Sequence, residues 1–187
     1  IFRSLGINTA GVEGDSHSCS VCLSKGHRVN HGFIGPPSNI RLDKTVKFDA
    51  LASFNFIEHL PKPRETLLEL NKLAIDGGLA LFEVPNFDII IKNSLFNEFI
   101  PDHRCYFTKD SFHCLLSTSG FQVISMDIIW DGYVLSAVAK KRVADFWADM
   151  SKSRIKMRAQ ITKFFRQTER FENAIWSAGH QSLSTIS

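Results

Sequence analysis

Asp102-His103, with Tyr106 three residues on, is the grouping in this 187-residue chain best suited to moving a proton. Histidine titrates near neutrality, and an adjacent carboxylate can orient its ring and raise its pKa. His59 is the second candidate base. It follows the end of an apolar run, where its other reading is helix entry and packing. Tyr106 offers a hydroxyl that either binds a substrate or packs half-buried beside Phe107. Glu13 closes a short apolar stretch, a place where a carboxylate either accepts hydrogen bonds from two ribose hydroxyls or caps the next helix. Phe54-Asn55 ends a second apolar run on an amide, and Phe33 closes a third segment. With Glu13, these are the positions expected to hold a nucleoside. His17, His27, His31 and His113 have no partner at useful spacing and read as surface residues.

These groups need elements to carry them, and the chain supplies a β-α-β rhythm. Asn8 to Glu13 reads as a strand, Ser16 to Lys25 as a helix stopped by Gly26, and His27 to Phe33 as a second strand closed by Gly35-Pro36-Pro37. Phe48 to Asn55 is almost continuously apolar, as in a strand covered on both faces. Pro63 opens a helix with Leu67, Leu70 and Leu73 on one stripe, ended by Asp76-Gly77-Gly78. Leu79 to Val84 is a further buried strand. Thr108 reads as the N-cap of a helix carrying Phe112, Leu115 and Leu116, which stops before Gly120. Phe121 to Ile128 and Tyr133 to Ala139 are strands whose short Trp130-Asp131-Gly132 connection makes them antiparallel. From Val143, apolar residues recur at alternating spacings of four and three as far as Phe171, which predicts a long helix or helix pair.

Composition narrows the class. Apolar content of 44% and charged content of 22% suit a folded domain. No apolar run reaches the roughly 18 residues of a membrane span and no signal peptide is visible, so a cytoplasmic protein is expected. Lys141 to Arg170 holds nine basic and three acidic residues, so the positive charge is local. Its aromatics fall on the apolar stripe, not among the charges, which argues against nucleic acid. Cys19-x-x-Cys22 has no second pair to complete a four-ligand zinc site. Reduced thiols and no metal are expected.

Phe48 to Pro61 with its Glu58-His59-Leu60-Pro61, then Asp76-Gly77-Gly78, then Gly120-Phe121-Gln122-Val123 resemble, in order and spacing, the later motifs of class I S-adenosylmethionine-dependent methyltransferases. The resemblance covers about Gly11 to Lys140. It implies an α/β fold with a doubly wound, mostly parallel sheet and an antiparallel last strand, with S-adenosylmethionine as cofactor. Glu13, Phe33, Phe54 and Asn55 become its expected binding residues. The family's G-x-G-x-G loop after strand 1 is not in the sequence, so the first strand is expected to be missing and this chain, as it stands, to bind cofactor poorly and turn over nothing. Pro101-Asp102-His103 through Thr108, then Trp130, then Ala174 to His180 resemble the sugar C-methyltransferases, with Asp102 where Glu is usual and Ser177 where Gly is typical. That subgroup implies a nucleotide-linked keto sugar as substrate, deprotonated at carbon by His103 with Asp102, and with His59 and Tyr106 nearby. Transfer to oxygen or nitrogen of another metabolite or glycan, or a non-catalytic nucleotide-binding module, are the alternatives. The expected organisation is a methyltransferase domain over 1–141, a helical linker over 142–173 that could join two copies as a homodimer, and the start of a second α/β domain over 174–187. Both ends read as cut.

Overall fold

In the computed structural model, the structure describes residues 2–35, 45–142, 154–160 and 163. The chain divides into two compact units, Ile1–Val143 and Ala144–Ser187. The first carries β1 (Gly11–Glu13), α1 (Ser16–Ser24), β2 (Val29–His31), β3 (Phe48–Phe54), α2 (Pro63–Leu73), β4 (Ala74–Pro85), α3 (Phe87–Lys92), α4 (Lys109–Thr118), β5 (Phe121–Ile129) and β6 (Val134–Lys141). In the second, 154–160 are helical and exposed. The remainder of the helix expected over 143–171, its role in a dimer, and the second α/β domain expected over 174–187 lie outside the described residues.

Local chemistry accounts for the ends of the helices. Asp15 caps α1 by accepting from the Ser18 N–H at 2.6 Å. Pro63 opens α2, where its missing donor costs nothing. Thr108 caps α4 through a reciprocal pair of bonds with Ser111. Each helix then turns a few apolar residues inward, among them Leu67 of α2 and Phe112 and Leu116 of α4, all fully buried.

The main sheet has the order β3-β4-β6-β5. β3 and β4 are parallel, and β6 runs antiparallel to both of its neighbours, so it alone opposes the other three. The turn into β6 holds Trp130, Asp131 and Gly132 all at positive φ, and Tyr133 N–H closes it on the Trp130 carbonyl. The core lies between this sheet and the helices. Phe82 and Phe121 meet edge to face there, centroids 5.2 Å apart.

One boundary differs from the sequence expectation. Asp76-Gly77-Gly78 does not end α2, which stops at Leu73; it lies inside β4. Phe48 pairs with Ala74 and Ala50 with Leu79, so β4 carries extra residues in a bulge at that point. Gly77 sits at φ +75, and a Cβ on Gly78 would stand 2.9 Å from the Ile75 carbonyl oxygen. The glycines serve a strand irregularity, not a helix stop.

β1 and β2 pair in parallel as a separate two-stranded sheet. Among the described residues β1 pairs only with β2 and β3 only with β4, and residues of both β1 and β3 line one cavity of about 360 Å³.

Phe82→Ala should cost about 3–5 kcal/mol of stability, as core phenylalanine truncations do. A urea midpoint unchanged from the parent protein would contradict the placement of the core on β4.

Candidate active site

The carboxyl end of β3 organises the site. Phe54 closes the strand, and Asn55 follows in the left-handed region at φ +45, a conformation asparagine tolerates better than most residues. Its N–H bonds the Glu83 carbonyl of β4 at 2.9 Å, while its side-chain Oδ1 is buried without a partner. A 3-10 turn over Ile57–His59 then buries Ile57 and Glu58 and leaves His59 facing outward.

On one side of this segment is the 360 Å³ cavity. Glu13, Phe33, Phe54, Phe56 and Ile57 line it, with Gly14 against the Phe33 ring. A Cβ on Gly14 would come within 2.4 Å of that ring, so the glycine is what lets Phe33 lie there. Glu13 ends β1, and its Oε1 accepts from the Asp15 N–H at 2.8 Å. Both readings of Glu13 are visible at once: it steadies the start of α1, and it borders the cavity. Three of the four expected cofactor positions thus share one cavity wall, and Asn55 stands next to it in sequence.

On the other side is a polar cluster. The Glu58 carbonyl accepts from both the Arg104 and Cys105 N–H groups, at 2.8 and 3.0 Å, which draws the 102–106 loop over the turn. His59 Nδ1 lies 3.0 Å from the Asp102 carbonyl oxygen and 3.1 Å from its carboxylate. Two acceptors therefore face Nδ1, while Nε2 lies 3.8 Å from Glu58 Oε1. The His103 ring stacks edge-on to His59, centroids 4.9 Å apart, and its Nδ1 is buried without a partner. Tyr106 sits 5.8 Å from His103 and 5.2–5.3 Å from Phe99 and Phe87.

Two expectations change. The Asp102 carboxylate pairs with His59, at 3.1 Å from Nδ1, and not with its own neighbour His103. Nor is the His103 pKa raised. Burial, and then the nearby His59, push it down, and Asp102 and Glu98 only partly oppose them. Tyr106 donates its hydroxyl to the Glu98 carbonyl at 3.3 Å and packs among aromatic rings, so the packing reading describes it. Cys19 and Cys22 are free thiols on α1.

Glu58 is the functional candidate the sequence reading passed over. It is 2% exposed, its Oε2 has no hydrogen-bond partner, and burial raises its pKa above the usual carboxylate range. A carboxylate next to a histidine at a strand end was the available signal.

A family model described as "Methyltransferase domain" matches residues 2–126. The chain belongs to the methyltransferase domain family. Among solved structures, a chain of the complex between the Haloferax volcanii Trm112 methyltransferase activator and a methyltransferase aligns at TM-score 0.63 and 14% identity, over 76% of each chain. An S-adenosylmethionine-dependent methyltransferase from Mesorhizobium loti aligns at 0.60 and 11%, over 74% of this chain and 83% of that one. Magnesium protoporphyrin IX methyltransferase from Synechocystis PCC 6803 with bound SAH aligns at 0.52 and 12%, over 74% and 66%. No curated protein matches. At these identities the neighbours establish the fold, which is Rossmann-like, and the family model makes the protein a methyltransferase. Among the described residues of the methyltransferase no helix is long and apolar enough to cross a membrane.

Tyr133, which donates to the Glu98 carboxylate, has its pKa pushed up to about 12 by burial and by that partner. The neutral form is favoured in the fold, so the stabilisation is complete below the ordinary tyrosine value near 10 and is lost as pH rises toward 12. Only two tyrosines are present. Ultraviolet titration should therefore show a tyrosine ionising near pH 12 that Tyr133→Phe removes; a Tyr133→Phe variant whose late step is unchanged would refute the contact.

Proposed function

We propose that this methyltransferase carries a methyl group to a small-molecule acceptor seated over Glu58, His59 and His103, with the cofactor held in the cavity bordered by Glu13, Phe33 and Phe54. The observation that carries the reading is continuity: Phe54, Phe56 and Ile57 line the cavity, and Glu58 and His59 follow directly in the polar cluster.

The residues present suit the cofactor. Glu13 offers a carboxylate at the end of β1 for two ribose hydroxyls, the aromatic rings of Phe33 and Phe54 offer flat apolar surface for a base, and the unpartnered Asn55 Oδ1 is an acceptor awaiting a donor. The cofactor, when bound, supplies an electrophilic methyl group on a sulfonium. The protein's task is then to hold the nucleophile and exclude water.

The cluster favours an acceptor that must give up a proton. Two imidazoles meet there, and Asp102 holds the His59 ring through Nδ1, so that Nε2 is the nitrogen left to take a proton. A carbon next to a ketone, as in a nucleotide-linked keto sugar, is of this kind, and so is a hydroxyl. Such an acceptor also agrees with the half-apolar wall that Phe56 and Tyr106 place beside the two histidines.

Equilibrium binding of labelled S-adenosylmethionine tests the cofactor half. Glu13→Ala should weaken it by about tenfold or more, the worth of hydrogen bonds to a charged group, with the circular dichroism spectrum unchanged. Equal affinity would move the cofactor away from β1. His103→Ala should cut turnover by about a hundredfold while cofactor affinity stays within a factor of about two. Turnover at the parental rate would remove the acceptor from the cluster.

A further inference from the structure

We propose that Glu58, His59 and His103 form a binding site for a divalent first-row transition ion of the Zn²⁺ type. Each offers one ligand atom, and these atoms lie within 4.8 Å of one another. Two ligands on one tetrahedral ion stand about 3.4 Å apart, given metal–ligand bonds of about 2.0–2.2 Å. His59 Nε2 and Glu58 Oε1, at 3.8 Å, are nearly at that spacing, and small rotations of the side chains close the rest.

Two further observations point to an ion instead of a chance grouping. Glu58 is 2% exposed, yet its Oε2 has no partner, and the buried His103 Nδ1 has none either. Unpaired buried polar atoms are costly, and two of the three such atoms among the described residues belong to this cluster. A cation held by these residues would supply the charge partner that the buried Glu58 carboxylate and the His103 ring lack. The second is the bond from His59 Nδ1 to Asp102. It is the arrangement that metal-binding histidines commonly have, in which a carboxylate holds one ring nitrogen and turns the other toward the ion.

The donor set selects among ions. Two imidazoles and one carboxylate suit Zn²⁺, Co²⁺ or Fe²⁺, whereas Mg²⁺ and Ca²⁺ prefer oxygen throughout. The carboxylates of Glu58 and Asp102 together balance the two positive charges of the ion. Three protein ligands also leave a position open, and the partly exposed His59 side chain keeps that position within reach of solvent. Resting on the acceptor placement proposed above, an acceptor hydroxyl would occupy it; the ion would lower that hydroxyl's pKa, and its proton would pass to solvent water, the imidazoles being engaged as ligands. Glu58 and His59 are adjacent but His103 stands far from them in the sequence, which is why no complete metal-ligand spacing is visible there.

Titration of the metal-stripped protein with Co²⁺ alone, followed by visible absorption, tests the site directly and needs neither cofactor nor acceptor. One equivalent should bind with the intense visible bands of a low-coordinate centre, and Zn²⁺ but not Mg²⁺ should displace it. Glu58→Gln and His103→Ala should each weaken binding at least tenfold, and Asp102→Asn by about tenfold. His103 lies on a loop, so its variant remains decisive if Glu58→Gln fails to fold. Cys19→Ser/Cys22→Ser should bind Co²⁺ like the parent. The proposal falls if no Co²⁺ binds, if His103→Ala binds as tightly as the parent, if the thiol variant loses the signal, or if Mg²⁺ competes equally. S-adenosylmethionine affinity, measured on the same metal-stripped protein, reports separately on the methyltransferase reading. Retained cofactor binding without Co²⁺ binding defeats only the ion.

Discussion

Backbone pairing of β4 is the constraint on which the remaining geometry rests. β4 is hydrogen-bonded along both flanks, to β3 on one side and β6 on the other, and Phe82 and Val84 at its centre are fully excluded from water. A strand held in this way cannot slip by one residue without turning its apolar side chains toward solvent. Its register therefore fixes how far β3 extends, and so where Asn55 leaves the sheet. Glu83 contributes twice, its carbonyl receiving the Asn55 N–H and its carboxylate accepting from the Ser136 hydroxyl of β6.

Past that point, local preference gives way. Asn55 adopts a positive φ, Glu58 is buried with an unpartnered oxygen, and His103 packs a bare nitrogen against His59. All three unpartnered buried polar atoms among the described residues fall at the end of β3 or on the loop that covers it. Elsewhere the caps, turns and core satisfy their own chemistry. Such concentrated departures from self-consistency are what a site that takes a ligand shows before the ligand is present.

The hydrogen bonds from Arg104 and Cys105 to the Glu58 carbonyl have an effect out of proportion to their number. Without them the 102–106 loop would be tethered to the turn only by side chains, and His103 would not meet His59. Aromatic packing of Tyr106 with Phe87 and Phe99 supports the far end of the same loop. Covering the carboxylate raises its pKa, and covering the imidazole lowers that of His103. Both shifts follow from one cause, removal of the charged form from water.

The amino-acid sequence by itself determined the alternation of strands and helices, the helix starts at Pro63 and Thr108, the antiparallel last pair of strands and the family, because these depend on neighbours a few residues apart. It placed Glu13 and Phe54 at strand ends, and His59 just past one. It misjudged Gly77-Gly78, since a helix stop and a strand bulge ask for the same residue type, and only the pairing with β3 distinguishes them. It also joined Asp102 to His103, adjacent in sequence, when the carboxylate reaches instead across the fold to His59. The burial of Glu58, the partner of each histidine and the direction of each pKa shift were decided by tertiary structure alone, because they depend on which distant segment closes over a group and how much water it excludes.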